Sequence, residues 1–325
     1  MPDFTVIIPN YNHARFLQQR IDSVLNQTFD NFEVIIIDDC STDNSREIIE
    51  EYRSNPKVSS IIFNRVNSKS PFKLWEKGLQ LAKAELIWVA ESDDFCENNF
   101  LEAAYSSFKQ FSSIGLFYSD GLIYDEDNKA NYKTFSEIKN HLYKTDKWSL
   151  SHFEKGETEL NNYLKFDCTI NNVSGMVFKK KIAESFCSKG SEFRYFGDWF
   201  YYINISFQAD LYYCNQPLNI YRKHKTSHLN SSNEIITQRK EYFEILAELV
   251  KNKKTTDKGK LLTHFAFFYL HPGLFKHGVI SSSKMLLSYF RIDWKLACKI
   301  TPRLILVKIF RSFYKKTIKQ IEYEE

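Results

Sequence analysis

The sequence predicts an α/β fold, a doubly wound, mainly parallel sheet over residues 1–228, followed by a helical region over 229–325. Three observations carry this. Short apolar runs alternate with segments of helical spacing through the first 120 residues, as in a parallel sheet with helices on both faces. The runs are apolar on nearly every residue, which suits strands buried on both sides. Polar clusters follow directly after three of the runs, two of them rich in acids. In open α/β sheets, ligands bind beyond the carboxyl ends of the strands.

The elements follow in order. "FTVIIP" (4–9) is a β-branched run closed by a proline. "ARFLQQRIDSVLNQTF" places Phe16, Leu17, Ile21, Val24 and Leu25 at helical spacing. "FEVIIIDD" (32–39) is a second buried strand. The helix "STDNSREIIEEY" follows, with Ser41 or Thr42 expected as its N-cap and acids in its first turn. "VSSIIF" is a third strand, "FKLWEKGLQLAKA" a helix and "ELIWVA" a fourth strand. The helix "NNFLEAAYSSFKQF" and the strand "IGLFYSD" complete the alternation. Residues 121–165 are polar and read as an irregular excursion. "CTINNVSGMVFKKKIAESF" resumes a strand and a helix. "FGDWFYYINISFQ" opens another helix, and "ADLYYCNQPLNIYRKH" reads as two short strands. From about residue 232 the pattern is helical.

Composition narrows the class. The chain has 325 residues, 43% of them hydrophobic, enough for a sizeable core. Cys40, Cys96, Cys168, Cys187, Cys214 and Cys298 are scattered, with no CxxC. That argues against structural zinc and against a disulfide framework. No secretory leader pattern opens the sequence, and no uncharged apolar run is long enough to span a bilayer. A cytoplasmic setting is the expectation. The net charge of +4 hides an asymmetry: residues 226–325 carry 18 Lys/Arg against nine Asp/Glu, and the first 225 carry 26 against 31.

The strand-end clusters "PNYN", "DDCS" and "ESDD" can converge on one crevice, although 80 residues separate the first from the last. Adjacent carboxylates repel, so Asp93 and Asp94 need a reason to stand together. Holding Mg²⁺ or Mn²⁺ against a pyrophosphate would supply one, because hard cations share carboxylate and phosphate oxygens. The plainer alternative is a helix N-cap with a first-turn acid. Asp38 and Asp39 can accept hydrogen bonds from a base or a ribose hydroxyl, or cap the following helix. Tyr11 can stack on a nucleobase, or be a half-buried turn residue.

Together these stretches resemble a known family. "VIIPNYNHARFLQQRIDSVLNQTFDNFEVIIIDDCSTDNSREII" followed by "AKAELIWVAESDDF" is similar to the inverting family 2 glycosyltransferases of the GT-A fold that act in bacterial polysaccharide synthesis. The joint pattern P-x-Y-N, Q-T-F, D-D-x-S-x-D and x-S-D-D carries it, closely over residues 3–120 and weakly to about 228. The resemblance implies a nucleotide-sugar donor, a UDP-sugar in the first instance. Pro9 and Tyr11 would line the uracil pocket, Asp39 would pair with the base, and Asn67 matches a loop asparagine. Asp93 and Asp94 would contact the ribose and a divalent metal, Mn²⁺ or Mg²⁺. Two departures stand out. Glu91 replaces the usual aspartate, and Trp75 in "LWEKG" occupies the place of an arginine, with Lys73 and Arg65 as nearby cations.

An inverting transfer needs a base to take the acceptor's proton. Asp198 in "YFGDWFYY" matches the family's catalytic acid, with Asp120 and Asp167 as further candidates. Trp199 beside it could wall an acceptor sugar, or be a core residue. "YRKHKTS" resembles the family's closing segment, which puts His224 near the diphosphate or metal, and "NNVSGMVF" (171–178) matches a region near the acceptor. Between Lys295 and Lys319, eight Lys/Arg are interleaved with apolar residues and no acid. Such a helix could lie on an anionic membrane face, which would suit a lipid-linked glycan acceptor, or pack on the body or on a second copy of the chain. No nucleic-acid motif accompanies the charge. A sugar nucleotidyltransferase and a non-catalytic nucleotide-binding scaffold are the alternative functions. The first lacks its glycine-rich triphosphate loop, and the second is kept open by Trp75 and Glu91.

Overall fold

The computed structural model describes residues 1–224, 232–266 and 293–306, with the single positions 287, 290 and 291. By internal contacts the chain divides into two units: Met1–Leu164 with Cys168–His228, and Lys165–Asp167 with Leu229–Glu325. In the first unit the elements run β1 (Phe4–Asn10), α1 (Ala14–Leu25), β2 (Phe32–Asp38), α2 (Ser45–Glu51), β3 (Val58–Phe63), α3 (Pro71–Leu81), β4 (Leu86–Val89), β5 (Phe95–Cys96) and α4 (Phe100–Gln110). Then come β6 (Ile114–Asp125), β7 (Ala130–Thr134), α5 (Phe135–Tyr143), β8 (His152–Glu154), α6 (Gly156–Glu159), β9 (Met176–Lys179), α7 (Lys180–Ala183), α8 (Cys187–Gly190), α9 (Gly197–Ser206) and β10 (Asp210–Lys223). The second unit contains α10 (Ser232–Lys251) and α11 (Lys258–Phe265), and residues 294–306 are helical. Among the described residues no helix is long and apolar enough to cross a membrane. Positions 307–319 of the basic segment lie outside the described residues.

One mixed sheet organises the first unit, in the order β3-β2-β1-β4-β9-β6-β10-β5, with β7 paired to β6 and β8 to β10. β3, β2, β1 and β4 run parallel. β9 is antiparallel to both β4 and β6. The buried faces of β1, β2 and β4 pack against α1 and α4 through Leu17, Ile21, Trp88 and Phe100, with the rings of Trp88 and Phe100 4.5 Å apart.

Several details differ from the sequence expectations for physical reasons. β1 continues through Pro9 to Asn10. The β4 ladder ends opposite Ile7, so the missing N–H of Pro9 costs no sheet bond on that side. Neither Ser41 nor Thr42 caps α2; its N-cap is Asn44, because Ser41 is drawn to Asp38 and Thr42 to Asn12. Residues 121–165 are not an irregular excursion. They contain the end of β6, the β7 hairpin strand, α5 closed by a Thr134–Glu137 capping box, β8 and α6. The segment read as two strands is the single strand β10. Register shifts around Cys214, Pro217 and Asn219 absorb its irregular middle while it stays parallel to β6.

α3 lies close on β1. A Cβ at Gly78 would stand 2.7 Å from Ile7 Cδ1 and Cγ2, and Ile7 is fully buried. Gly78→Ala should therefore lower stability by about 1–3 kcal/mol. Ile7→Ala alone should cost about 2–5 kcal/mol. The double variant should lose less than the two losses combined, because truncating Ile7 makes room for the new methyl. Urea unfolding of the three variants checks this, and strict additivity would contradict the contact.

Candidate active site

The ends of β1 and β2 are laced together. Asn10 Nδ2 donates to Asp38 Oδ1 at 2.8 Å, and the Ser41 amide donates to Asp38 Oδ2 at 3.0 Å. Asn12, in the left-handed region at φ 56°, donates its amide to Ser41 Oγ at 2.9 Å and accepts from the Thr42 amide at 2.7 Å. Asp43 Oδ2 accepts the Ala14 amide at 2.9 Å, at the start of α1. The acids and serine of "DDCSTD" thus spend much of their chemistry fixing the "PNYN" loop.

Asp39 holds the opposite wall. Its carboxylate accepts from Asn64 Nδ2 at 2.7 Å, from the Ser68 amide at 2.9 Å and from Ser68 Oγ at 2.8 Å. Asn67 Nδ2 donates to the Asp39 carbonyl at 3.1 Å. Between these walls lies a crevice of about 630 Å³ whose lining includes Pro9, Tyr11, His13, Asp39, Asn67 and Glu91. Four of the residues expected around the nucleotide therefore meet in one place. Tyr11 is half-exposed there. The cations on this lining are Lys69 and Arg194, and neither Lys73 nor Arg65, the nearby cations of the sequence, is among them; Lys73 Nζ donates to the Ser68 carbonyl at 3.2 Å.

The two acids after β4 are separated by their partners. Asp94 is buried. Its oxygens accept from the Arg222 amide and from Asn172 Nδ2, each at 3.0 Å, and the Arg20 guanidinium lies 3.9 Å away. Burial and the adjacent Asp93 charge push its carboxyl up to about 6. Asp93 turns the other way: its Oδ2 stands 3.2 Å from His224 Nε2. Burial opposes its ionisation, but the His224 hydrogen bond and the charges of His13 and His224 hold the carboxyl below the ordinary range. His13, Asp93 and His224 bring ligand atoms within 4.8 Å of one another. Two imidazoles and a carboxylate suit a divalent ion. Asp94 is not in this group; its oxygens face Arg222, Asn172 and Arg20 instead.

Glu91 and Trp75, the two departures from the family pattern, touch. Trp75 is fully buried and donates its indole N–H to Glu91 Oε1 at 3.1 Å. Burial and the Asp93 charge push the Glu91 carboxyl up to about 8.

Asp198 lies in the first turn of α9 and accepts the Trp199 amide at 2.7 Å. It is not among the residues lining the crevice. The hydroxyl of Tyr202, one turn on, is raised well above its usual range by burial and by charges that include both Asp198 and Glu91. Trp199 is 1% exposed and donates to the Leu164 carbonyl at 2.7 Å. It is a core residue and cannot wall an acceptor sugar in this arrangement. Asp120 is held by the amides of Gly121 and Ser136 and by the Ser136 hydroxyl, away from the crevice lining. Asp167 falls in the other unit.

Sequence reasoning missed Arg20 and Arg222. Arg20 is fully buried and donates to the Glu91 carbonyl at 2.8 Å and to Asn219 Oδ1 at 3.3 Å. The signal was present: it is the one charged residue on the apolar stripe of Phe16, Leu17, Ile21 and Val24. Arg222 binds the Asp93 carbonyl at 2.8 Å, Gln19 at 2.6 Å and Glu126. Removing a buried cation leaves Asp94 uncompensated. Arg20→Met should destabilise the fold by about 3–5 kcal/mol, and adding Asp94→Asn should recover part of that loss in a denaturant-unfolding cycle.

Comparisons with known proteins accord with this geometry. Residues 5–186 match the family profile described as Glycosyl transferase family 2. Glycosyltransferase GlyG of Streptococcus pneumoniae is 30% identical over 131 residues, 39% of this chain and 42% of that protein. The poly(ribitol-phosphate) beta-N-acetylglucosaminyltransferase TarS of Staphylococcus aureus is 36% identical over 108 residues, 32% of this chain and 18% of that protein. The match thus spans less than half the length of either relative. The crystal structure of S. aureus TarS 1–349 in complex with UDP-GlcNAc has a TM-score of 0.68 to this chain at 16% identity, covering 96% of this chain and 92% of that one. The fold is therefore the GT-A fold seen there, and the chain belongs to glycosyl transferase family 2.

Proposed function

We propose that the chain transfers a sugar from a UDP-sugar to a hydroxyl of a glycan or lipid-linked acceptor in surface polysaccharide or teichoic acid synthesis, with inversion at the sugar carbon. One observation carries the reading: Pro9, Tyr11, Asp39 and Asn67 line a single crevice, and His13 belongs both to that lining and to the cluster with Asp93 and His224. A base-binding wall and an ion-binding rim are thereby joined at one residue. The choice of UDP, and of UDP-GlcNAc as the first donor to try, follows the TarS relative. A membrane-face location for the basic segment 295–319 belongs to the same proposal.

Each residue has a task. Tyr11 stacks on the base, and the Asp39 carboxylate, with its remaining lone pairs, accepts a base N–H. Lys69 and Arg194 supply positive charge along the diphosphate. A divalent ion at Asp93 would offset the charge developing on the leaving diphosphate. Asp198 takes the proton from the acceptor hydroxyl as that oxygen attacks the sugar carbon opposite the leaving group.

Calorimetric titration of UDP, GDP and CDP, with and without Mn²⁺, tests the donor site. UDP should bind best, and binding should weaken in Asp93→Ala. Asp198→Asn should leave UDP affinity intact and lower sugar transfer about 10²–10⁴-fold. If the folded protein bound none of these nucleotides, the donor reading would fall. If Asp198→Asn kept full transfer activity, the base would have to be sought elsewhere.

A further inference from the structure

We propose that His13 is a third protein ligand of the donor-site ion, beside Asp93 and His224, and that this set makes the site select a first-row transition ion over Mg²⁺. The inference rests on the donor-site reading above and adds to it a ligand and an ion preference.

The geometry supports a shared ion. Two donors on one ion at about 2.1 Å stand about 3 Å apart when they are cis. Asp93 Oδ2 and His224 Nε2 are 3.2 Å apart, and a His13 nitrogen joins them within 4.8 Å. The rings of His13 and His224 are edge to face with centroids 5.9 Å apart. An ion drawn between these atoms would pull all three donors toward a common centre.

His13 is also held in place. It is the N-cap residue of α1, and its carbonyl accepts the Phe16 and Leu17 amides at 2.9 and 3.0 Å. Its Nδ1 lies 2.9 Å from Ser92 Oγ, and Ser92 is buried. The tautomer that donates its Nδ1 proton to that hydroxyl would present Nε2 as the ligand atom. A hydrogen bond behind the ring is the usual way a ligating histidine is oriented. Phe16 packs on the His224 ring with centroids 4.9 Å apart, which fixes the second imidazole from the apolar side.

The ion preference follows from the donor atoms. Mg²⁺ favours oxygen ligands and keeps much of its water. Imidazole nitrogen binds first-row transition ions, weakest at Mn²⁺ and more tightly along the row, whereas it adds little for Mg²⁺, so even Mn²⁺ should be preferred here. A pair of aspartates would have suited Mg²⁺. Asp94 is committed to Arg222, Asn172 and Arg20, so nitrogen donors take up the remaining places.

The test uses the full chain, with Mn²⁺ and Mg²⁺ added separately, in the presence and absence of UDP. Pulsed EPR of bound Mn²⁺ counts the coupled ¹⁴N nuclei. Two imidazole couplings are expected in the wild type and one in His13→Ala. The Mn²⁺ dissociation constant should rise about tenfold or more in His13→Ala. In His13→Asp the preference for Mn²⁺ over Mg²⁺ should narrow about tenfold or more. A single imidazole coupling in the wild type, or an unchanged Mn²⁺ affinity in His13→Ala, overturns the proposal while UDP binding stands. If UDP fails to bind but Mn²⁺ still shows two imidazole couplings, the donor reading falls and the His13 site survives. The wild-type count needs no variant, so a variant that fails to fold does not spoil the test.

Discussion

The site depends on the buried charge pair of Asp94 and Arg20. A carboxylate taken out of water at the end of a strand is costly unless cations and amides surround it. Arg20 comes from α1, Asn172 from the loop before β9, and the Arg222 amide from β10. One carboxylate therefore ties a helix, a loop and a distant strand to the end of β4. Arg20 also holds the Glu91 carbonyl and Asn219, and Arg222 reaches back to the Asp93 carbonyl and to Gln19 of α1. The turn 91–94 is gripped from three sides before any substrate arrives.

That grip explains why two adjacent aspartates can behave so differently. Asp94 points inward to the cations, and its carboxyl is nonetheless raised by burial and by its neighbour's charge. Asp93 keeps its charge because imidazoles face it. The repulsion that makes the pair look unfavourable in sequence is thus divided: Asp94 is held among amides and a guanidinium, and Asp93 faces two imidazoles. The proposed ion at Asp93 would rely on the many partners of Asp94, since a ligand held loosely does not fix an ion's position.

Much of this was legible in the sequence where the information is local. Alternating runs marked β1 to β4 and their helices. The position of clusters after strand ends foretold that Pro9, Tyr11 and Asp39 would share a crevice, and the family resemblance added Asn67. What could not be read depends on partners far along the chain. Nothing near Trp199 says that its indole will meet the Leu164 carbonyl and be lost to the core. Nothing in "CNQPLN" says that bulges will let one strand run through it. The cations Arg20 and Arg222 lie 74 and 128 positions from Asp94, and only the odd placement of Arg20 on an apolar stripe hinted at its role. The functions of Asp38 and Asp43 were legible as acids but not as staples, because their partners are the amides and side chains of a neighbouring loop.

The pair Trp75 and Glu91 shows how two departures from a pattern can be one adaptation. The resemblance places an arginine and an aspartate at these positions. Here a neutral indole replaces the cation, and a longer acid reaches it through one hydrogen bond. A charged Glu91 would stand beside the charge of Asp93, with Arg20, which binds the Glu91 carbonyl, offsetting it only in part. Burial and the charge of Asp93 instead push its carboxyl up to about 8, so the acid is mostly protonated at neutral pH and the pair is close to neutral. What changes is the source of positive charge: with no guanidinium at position 75, the cations on the crevice lining are Lys69 and Arg194. Under the proposed function, the absence of a cation at position 75 would place a larger share of diphosphate binding on the histidine and aspartate cluster at the rim.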